Sequence, residues 1–326
     1  MIKVINAVLA IAGGVGAVLI LFFVFNWLVE KLPERWSSRL KPWVFAGPAI
    51  AFIGLFLLYP GVRTIILSFA NARSTEWIGV QNYVDLLTES AFQQTMINTL
   101  LWILVVPTVA VVIGLLVAVL TDRLAPRGEK VTKSLIFLPM AISMVGASTI
   151  WRFIYEFRPG GTEQIGLLNA LWTGIGGQPQ VWLQMRDYRL NSFLLMIILI
   201  WLQTGFAMVL LSSAIKAVPE ETIEAARIDG ATEVQAFFQV VIPQIWGTVI
   251  TVFVTILIAV MKIFDIVYVM TGGQHNTDVV ARRFFAELFN VGDYGKSAAI
   301  VVLLMIAVIP VMIYQVRQFR KQEAMG

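Results

Sequence analysis

The stretch KAVPEETIEAARIDGATEVQAFFQVVIPQIW, residues 216–246, is polar where both of its flanks are apolar. Its local chemistry predicts two short helices and a sharp turn. Pro219 suits the first position of a helix, where its missing N–H costs nothing. Glu220 and Glu221 then fall in the first turn, where carboxylates favour the positive end of the helix dipole. Gly230 stands where a helix would end, since glycine takes the left-handed conformation cheaply. Thr232 and Gln235 have the T-x-x-Q spacing of a capping box and start a second helix. Pro243 predicts a break before the next apolar run. Ala225 and Ala226 leave a shallow face that could sit in a groove on another protein. The plainer alternative is an interfacial helix that only joins two spans.

Outward from this stretch the chain is dominated by apolar runs. Of its 326 residues, 58% are hydrophobic and 13% charged, against about 25% charged in soluble proteins. A transmembrane helix needs about 20 mostly apolar residues. Seven stretches qualify: about 5–28, 44–69, 98–120, 134–153, 191–215, 248–269 and 297–316. The expected fold is therefore all-α and polytopic. The first run is long for a secretory signal, and no small-x-small cleavage site follows it, so it reads as a retained anchor. The expected division is an anchor and basic linker over 1–43, then a transmembrane domain over 44–326.

Basic residues set the orientation. Lys31, Arg35, Arg39 and Lys41 follow the first run, Arg123, Arg127, Lys130 and Lys133 the third, and Arg317, Arg320 and Lys321 the last. With seven spans these fall on one side, together with the 216–246 loop. That side reads as cytoplasmic, which places the N-terminus outside. The outer connections are long. About 70–97 carries Trp77 and Tyr83 as interface anchors, and about 154–190 carries Gly160-Gly161, Gly176-Gly177, Trp172 and Trp182.

Composition also excludes chemistries. There is no cysteine, so no disulfide or thiolate metal site, and His275 is the single histidine. No Gly-rich Lys-Ser/Thr phosphate loop is present, so the chain has no P-loop of its own. A net charge of +4 is too small an excess to argue for nucleic acid.

The run EAARIDGATEVQAFFQVVIP resembles the EAA loop of binding-protein-dependent ABC importer permeases. The family pattern, E-A-A, three residues, G, nine residues, I-x-L-P, falls on Glu224, Ala225, Ala226, Gly230, Val240, Ile242 and Pro243. Val240 and Ile242 are conservative departures. FLLYPGVRTIILSF, IGVQNYVDLL, NTLLWILVVP and FDIVYVMTGG are similar to segments of maltose-type sugar permeases, and YEFRPGGTEQIGLLNAL to alpha-glucoside permeases. The resemblance implies a type I permease core of six helices plus an extra N-terminal one, in a bacterial inner membrane. It implies as partners a second permease chain, a cytoplasmic ATPase dimer that carries ATP and Mg, and an extracytoplasmic sugar-binding protein. It implies no cofactor on this chain. Glu224, Ala225, Ala226, Asp229, Gly230 and Pro243 would couple to the ATPase.

Polar groups inside a bilayer are costly and often functional. Lys262 and Asp265, three apart in one run, would share a helix face as a compensating pair or line the path. Gln203, Thr204, Thr251, Thr255 and Tyr268 could offer hydrogen bonds to sugar hydroxyls, with Trp201 and Phe206 as nearby rings. Against each stands a structural role, since threonine in membrane helices commonly bonds its own backbone. Arg63 reads as snorkelling to the outer interface. Asn98 reads as a cap opening the third span, and His275 as an outer-loop residue. The rival class is an ion-coupled secondary transporter, which would need intramembrane coupling charges in two related halves. A membrane enzyme lacks a catalytic cluster.

Overall fold

The computed structural model describes residues 2–159 and 162–323. The Gly160-Gly161 pair lies outside the described residues. The chain divides into two compact units, Met1–Ile66 and Leu67–Gly326.

The first unit holds α1 (Ile2–Glu30) and most of α2 (Glu34–Leu67). Both are long and apolar enough to cross a membrane, and 0% of their most apolar windows is buried inside the protein. Apolar side chains therefore face outward through those windows, as helices solvated by lipid require. Phe22 stacks on Phe45 with centroids 6.0 Å apart. Arg63 is exposed. A π-helical turn, Gly54–Leu58, precedes Pro60. That turn lets α2 continue past a residue that has no N–H to give.

The second unit holds α3 (Gln81–Thr88), α4 (Ser90–Asp122), α5 (Pro126–Ala141), α6 (Met144–Ile154), α7 (Leu167–Gly174), α8 (Leu190–Lys216), α9 (Glu220–Ile228), α10 (Glu233–Met261), α11 (Asp265–Met270), α12 (Val280–Phe285) and α13 (Tyr294–Glu323). The one non-helical pairing among the described residues is an isolated bridge between Ala70 and Trp77. Among the described residues, six helices are long and apolar enough to cross a bilayer, and a bent pair makes up to seven.

α8 is the centre of this unit, with 61% of its most apolar window buried. It packs along α4 and against α10. Trp102, Val106 and Ala110 of α4 meet Leu195, Ile198, Leu199, Ala207 and Met208 of α8 and Val252, Ile256 and Val260 of α10. In lipid this association draws on close packing rather than on hydrophobicity. Small residues supply it. A Cβ at Gly205 would lie 2.5 Å from the Ile136 carbonyl oxygen, and one at Gly114 2.6 Å from the Ala207 Cβ.

Two spans depart from the sequence reading. The run expected as a single helix over 134–153 is the pair α5 and α6, bent by 103°. Ser143 caps α6 by accepting from the Gly146 N–H at 3.1 Å, so the second half starts afresh. Hydropathy measures the length of an apolar run and is blind to a capping serine inside it. The run over 248–269 is also interrupted. α10 ends at Met261, and Phe264 leaves helical geometry at φ −135° before α11 begins.

Candidate functional site

The 216–246 loop folds as its chemistry dictates, with one exception. Pro219 stands at the N-cap position, one residue before the expected first helical position and with no side-chain cap, and Glu220 and Glu221 occupy the first turn. At the far end Gly230 takes φ +88°. The Ala231 N–H donates to the Ala226 carbonyl and the Gly230 N–H to the Arg227 carbonyl, both at 3.0 Å. That pair of bonds is a Schellman closure, which satisfies the last carbonyls of α9. The capping box at Thr232 and Gln235 is complete. Arg227 bridges the turn to Glu233 at 2.8 Å, and that carboxylate holds the Arg227 guanidinium above its usual range.

Pro243 is the exception. No break precedes the membrane run; α10 is continuous from Glu233 to Met261. A π-helical turn over Phe237–Val241 stands immediately before the proline. Pro243 offers no N–H to the carbonyl four residues back, and widening the previous turn accommodates that loss without stopping the helix. The second helix of the loop is thus the beginning of the span.

α9 presents its side chains outward. Glu224, Ala225, Asp229 and Gly230 are exposed, and Ala226 is half-buried. Ile228 is 86% exposed, and Val234 and Phe238 nearby are also exposed. A short helix with a closed C-terminal end, edged by bare apolar groups, has the makings of a docking element.

The candidate path residues scatter. Thr204 of α8 is buried and donates to the Ile200 carbonyl at 2.7 Å. Thr251 donates to Gly247 and Thr255 to Thr251, each at 2.8 Å. All three hydroxyls serve their own helices. Gln203 is half-buried on α8. Lys262 and Asp265 do not share a helix face: Lys262 ends α10, Asp265 opens α11, and no ion pair among the described residues joins them. Tyr268 keeps a surface role. It stacks on Phe264 at 4.9 Å and meets Phe285 edge-on at 5.6 Å, with Phe289 4.6 Å beyond. Trp201 meets Trp151 edge-on at 5.9 Å.

A separate cavity of about 380 Å³ lies between the end of α6 and the loops that precede α8 and α12. Arg152, Tyr155, Glu156, Trp182, Gln274 and His275 are among its lining residues. His275 is therefore part of a wall, in left-handed backbone at φ +55°. Its carbonyl accepts from Asn191 at 2.8 Å.

Asn98 is not a cap, because α4 begins eight residues earlier at Ser90. It is fully buried. Its amide donates to the Asn276 and Asp278 carbonyls at 2.5 and 3.0 Å, and its oxygen accepts from Arg189. One side chain thus ties α4 to the start of α8 and to the loop before α12. A polar residue at the opening of an apolar run was the available signal. Asn98→Ala should lower stability by about 2 kcal/mol, since it strips a bond from Arg189 and leaves two carbonyls without their donor. Thermal melting of purified protein in detergent checks this, and an unchanged midpoint would refute it.

The sequence profile of the family described as "Binding-protein-dependent transport system inner membrane component" matches residues 123–323. The chain belongs to that family. This inner membrane component is 47% identical over 289 residues to the alpha-glucoside transport system permease protein AglF of Rhizobium meliloti (strain 1021), covering 88% of this chain and 85% of the relative. It is 46% identical over 280 residues to the osmoprotective compounds uptake permease protein GgtC of Synechocystis sp., covering 86% and 99%. A solved bacterial alginate ABC transporter, in complex with an alginate pentasaccharide-bound periplasmic protein, contains a chain of the same fold. That match has TM-score 0.73 and 19% identity, and covers 86% of this permease and 96% of that chain. The family match spans α5 to α13, and so includes α9, its Schellman turn and the continuous α10.

Proposed function

We propose that this permease is the membrane-spanning subunit of an ATP-driven sugar importer. A second permease chain completes the substrate path, and a cytoplasmic ATPase dimer docks on α9. The observation that carries the coupling half is α9 itself: closed at its C-terminal end by a Schellman turn, exposed, and joined through that one tight turn to an unbroken span. Glu224, Ala225, Ala226, Asp229 and Gly230 form the docking face. Pro243 and its π turn keep α10 in one piece. ATP and Mg belong to the ATPase, and this chain needs no cofactor. The α9 loop and the C-terminus then lie in the cytoplasm, with the N-terminus outside, where an extracytoplasmic sugar-binding protein delivers substrate.

The sugar half draws on the alpha-glucoside name of the 47% identical relative. It also draws on the rings at Phe264, Tyr268, Phe285 and Phe289, since aromatic faces suit the apolar faces of a pyranose. Lys262 and Asp265 flank Phe264 in the chain, while Gln203, Thr204, Thr251 and Thr255 are candidates further along α8 and α10. Thr204, Thr251 and Thr255 can contact substrate through their second lone pairs, because each spends its proton on its own helix.

Affinity-tagged permease should co-purify with an ATPase subunit. Uptake of radiolabelled maltose or trehalose into cells carrying the system should collapse when ATP is depleted and persist when the proton gradient is dissipated. Loss of uptake on dissipating a proton or sodium gradient, with ATP intact, would favour an ion-coupled secondary transporter instead. Tyr268→Ala should raise the half-saturating sugar concentration about tenfold, the cost of one lost stacking surface. Concentration-dependent uptake measures it, and an unchanged value removes Tyr268 from the path.

A further inference from the structure

Charged side chains from three helices meet beside the base of α9. Asp122 is the last residue of α4, Glu129 and Lys133 stand one turn apart on α5, and Ser212 and Lys216 one turn apart at the end of α8. Lys133 Nζ lies 2.6 Å from both Asp122 Oδ1 and Glu129 Oε1, and it donates to Ser212. Ser212 in turn donates to Asp122 at 2.8 Å. Lys216 donates to Glu129 and stands 3.8 Å from Asp122. Two carboxylates face two ammonium groups, so the cluster balances its charge. Its members differ in exposure. Asp122, Glu129 and Lys133 keep 16–18% of their side-chain surface accessible, whereas Lys216 keeps 51%.

That contrast separates two roles. Lys133 is an enclosed hub, and losing it would leave two carboxylates to share the half-exposed Lys216. Lys216 is a rim residue whose loss leaves Glu129 still paired to Lys133. Lys216 is also the last residue of α8, and only Ala217, Val218 and Pro219 separate it from α9. They form a turn in which Pro219 leaves helical geometry at ψ 130°, so α9 does not prolong α8 as a rod.

We propose that the Lys216–Glu129 contact is a positioning contact that carries a displacement at the base of α9 into α5, and so into the bent pair α5–α6. The inference rests on the reading of α9 as the ATPase-docking helix. Lys216 and Glu129 touch no substrate; they act by making the ends of α5 and α8 move together.

The cysteine-free sequence allows a direct test. Single cysteines at Ile228 on α9 and at Val131 on α5, both exposed, are labelled with a thiol reagent in the complete transporter. Labelling rates are compared with and without ATP and vanadate. In the parent both rates should change. Lys216→Met and Glu129→Gln should leave the Ile228 change intact and shrink the Val131 change at least about threefold, the scale on which single contacts modulate coupling. Lys216→Arg, which keeps charge and reach, should restore it. Melting of each variant separates lost transmission from lost folding. If Ile228 responds and Val131 responds fully in both Lys216→Met and Glu129→Gln, the positioning role is wrong while the docking reading stands. If Ile228 does not respond in the parent, the docking reading fails and this inference with it.

Discussion

Glu224→Lys is expected to reduce ATP-driven uptake roughly 30-fold, through about 2 kcal/mol of lost ATPase docking. The helix itself should survive. Glutamate and lysine have similar helix propensities, Glu224 is exposed, and the Schellman closure of α9 uses other residues. Surface substitutions of this kind change folding by about 0.5 kcal/mol or less. What changes is the face offered to the partner, where a positive group joins Arg227. Co-purification of the ATPase and sugar uptake should therefore fall together while the melting temperature holds. If Glu224→Lys leaves both intact, α9 does not dock where we place it.

Gly205→Leu should largely abolish recovery of folded permease. A Cβ at this position would stand 2.5 Å from the Ile136 carbonyl oxygen and 2.8 Å from the Phe137 Cα. These are backbone atoms, which cannot rotate aside as a side chain can. Even alanine forces α5 away from α8 just before the 103° bend, for about 1–3 kcal/mol, and leucine adds three more carbons. The expected series is parent above Gly205→Ala above Gly205→Leu in monodisperse yield on size-exclusion chromatography. Gly13, with nothing within 4 Å of its would-be Cβ, serves as the control, and its alanine variant should match the parent. A Gly205→Leu protein with parental yield would show that α5 and α8 do not approach as closely as described.

Much of this architecture was legible in the residues. Apolar length located the spans, and turn chemistry placed the stop at Gly230 and the restart at Thr232. Both are local effects, set by one residue's φ or one hydroxyl. What escaped the sequence depends on neighbours. Pro243 read as a break because a proline's missing N–H is local, whereas the π turn that absorbs it is a property of the built helix. Lys262 and Asp265 read as one face because spacing alone assumes an unbroken helix. Asn98 read as a cap because its partners Arg189, Asn276 and Asp278 are far along the chain. The Asp122–Lys133–Lys216 cluster was hidden in plain composition, since a positive-inside count registers charges and not whom they touch.

The unbroken α10 has a mechanical corollary. Its 29 residues make a stiff rod of about 43 Å at the usual rise per residue. A tilt of about 5° at the end rooted in the Gly230 turn would swing the opposite end by about 4 Å, close to the girth of a sugar ring. The helix break after Met261 separates α11 and Tyr268 from the end of that rod. The proline-tolerant wide turn thus gives the protein the geometry of a lever arm, by which a small push at the membrane surface would become a large displacement far from it.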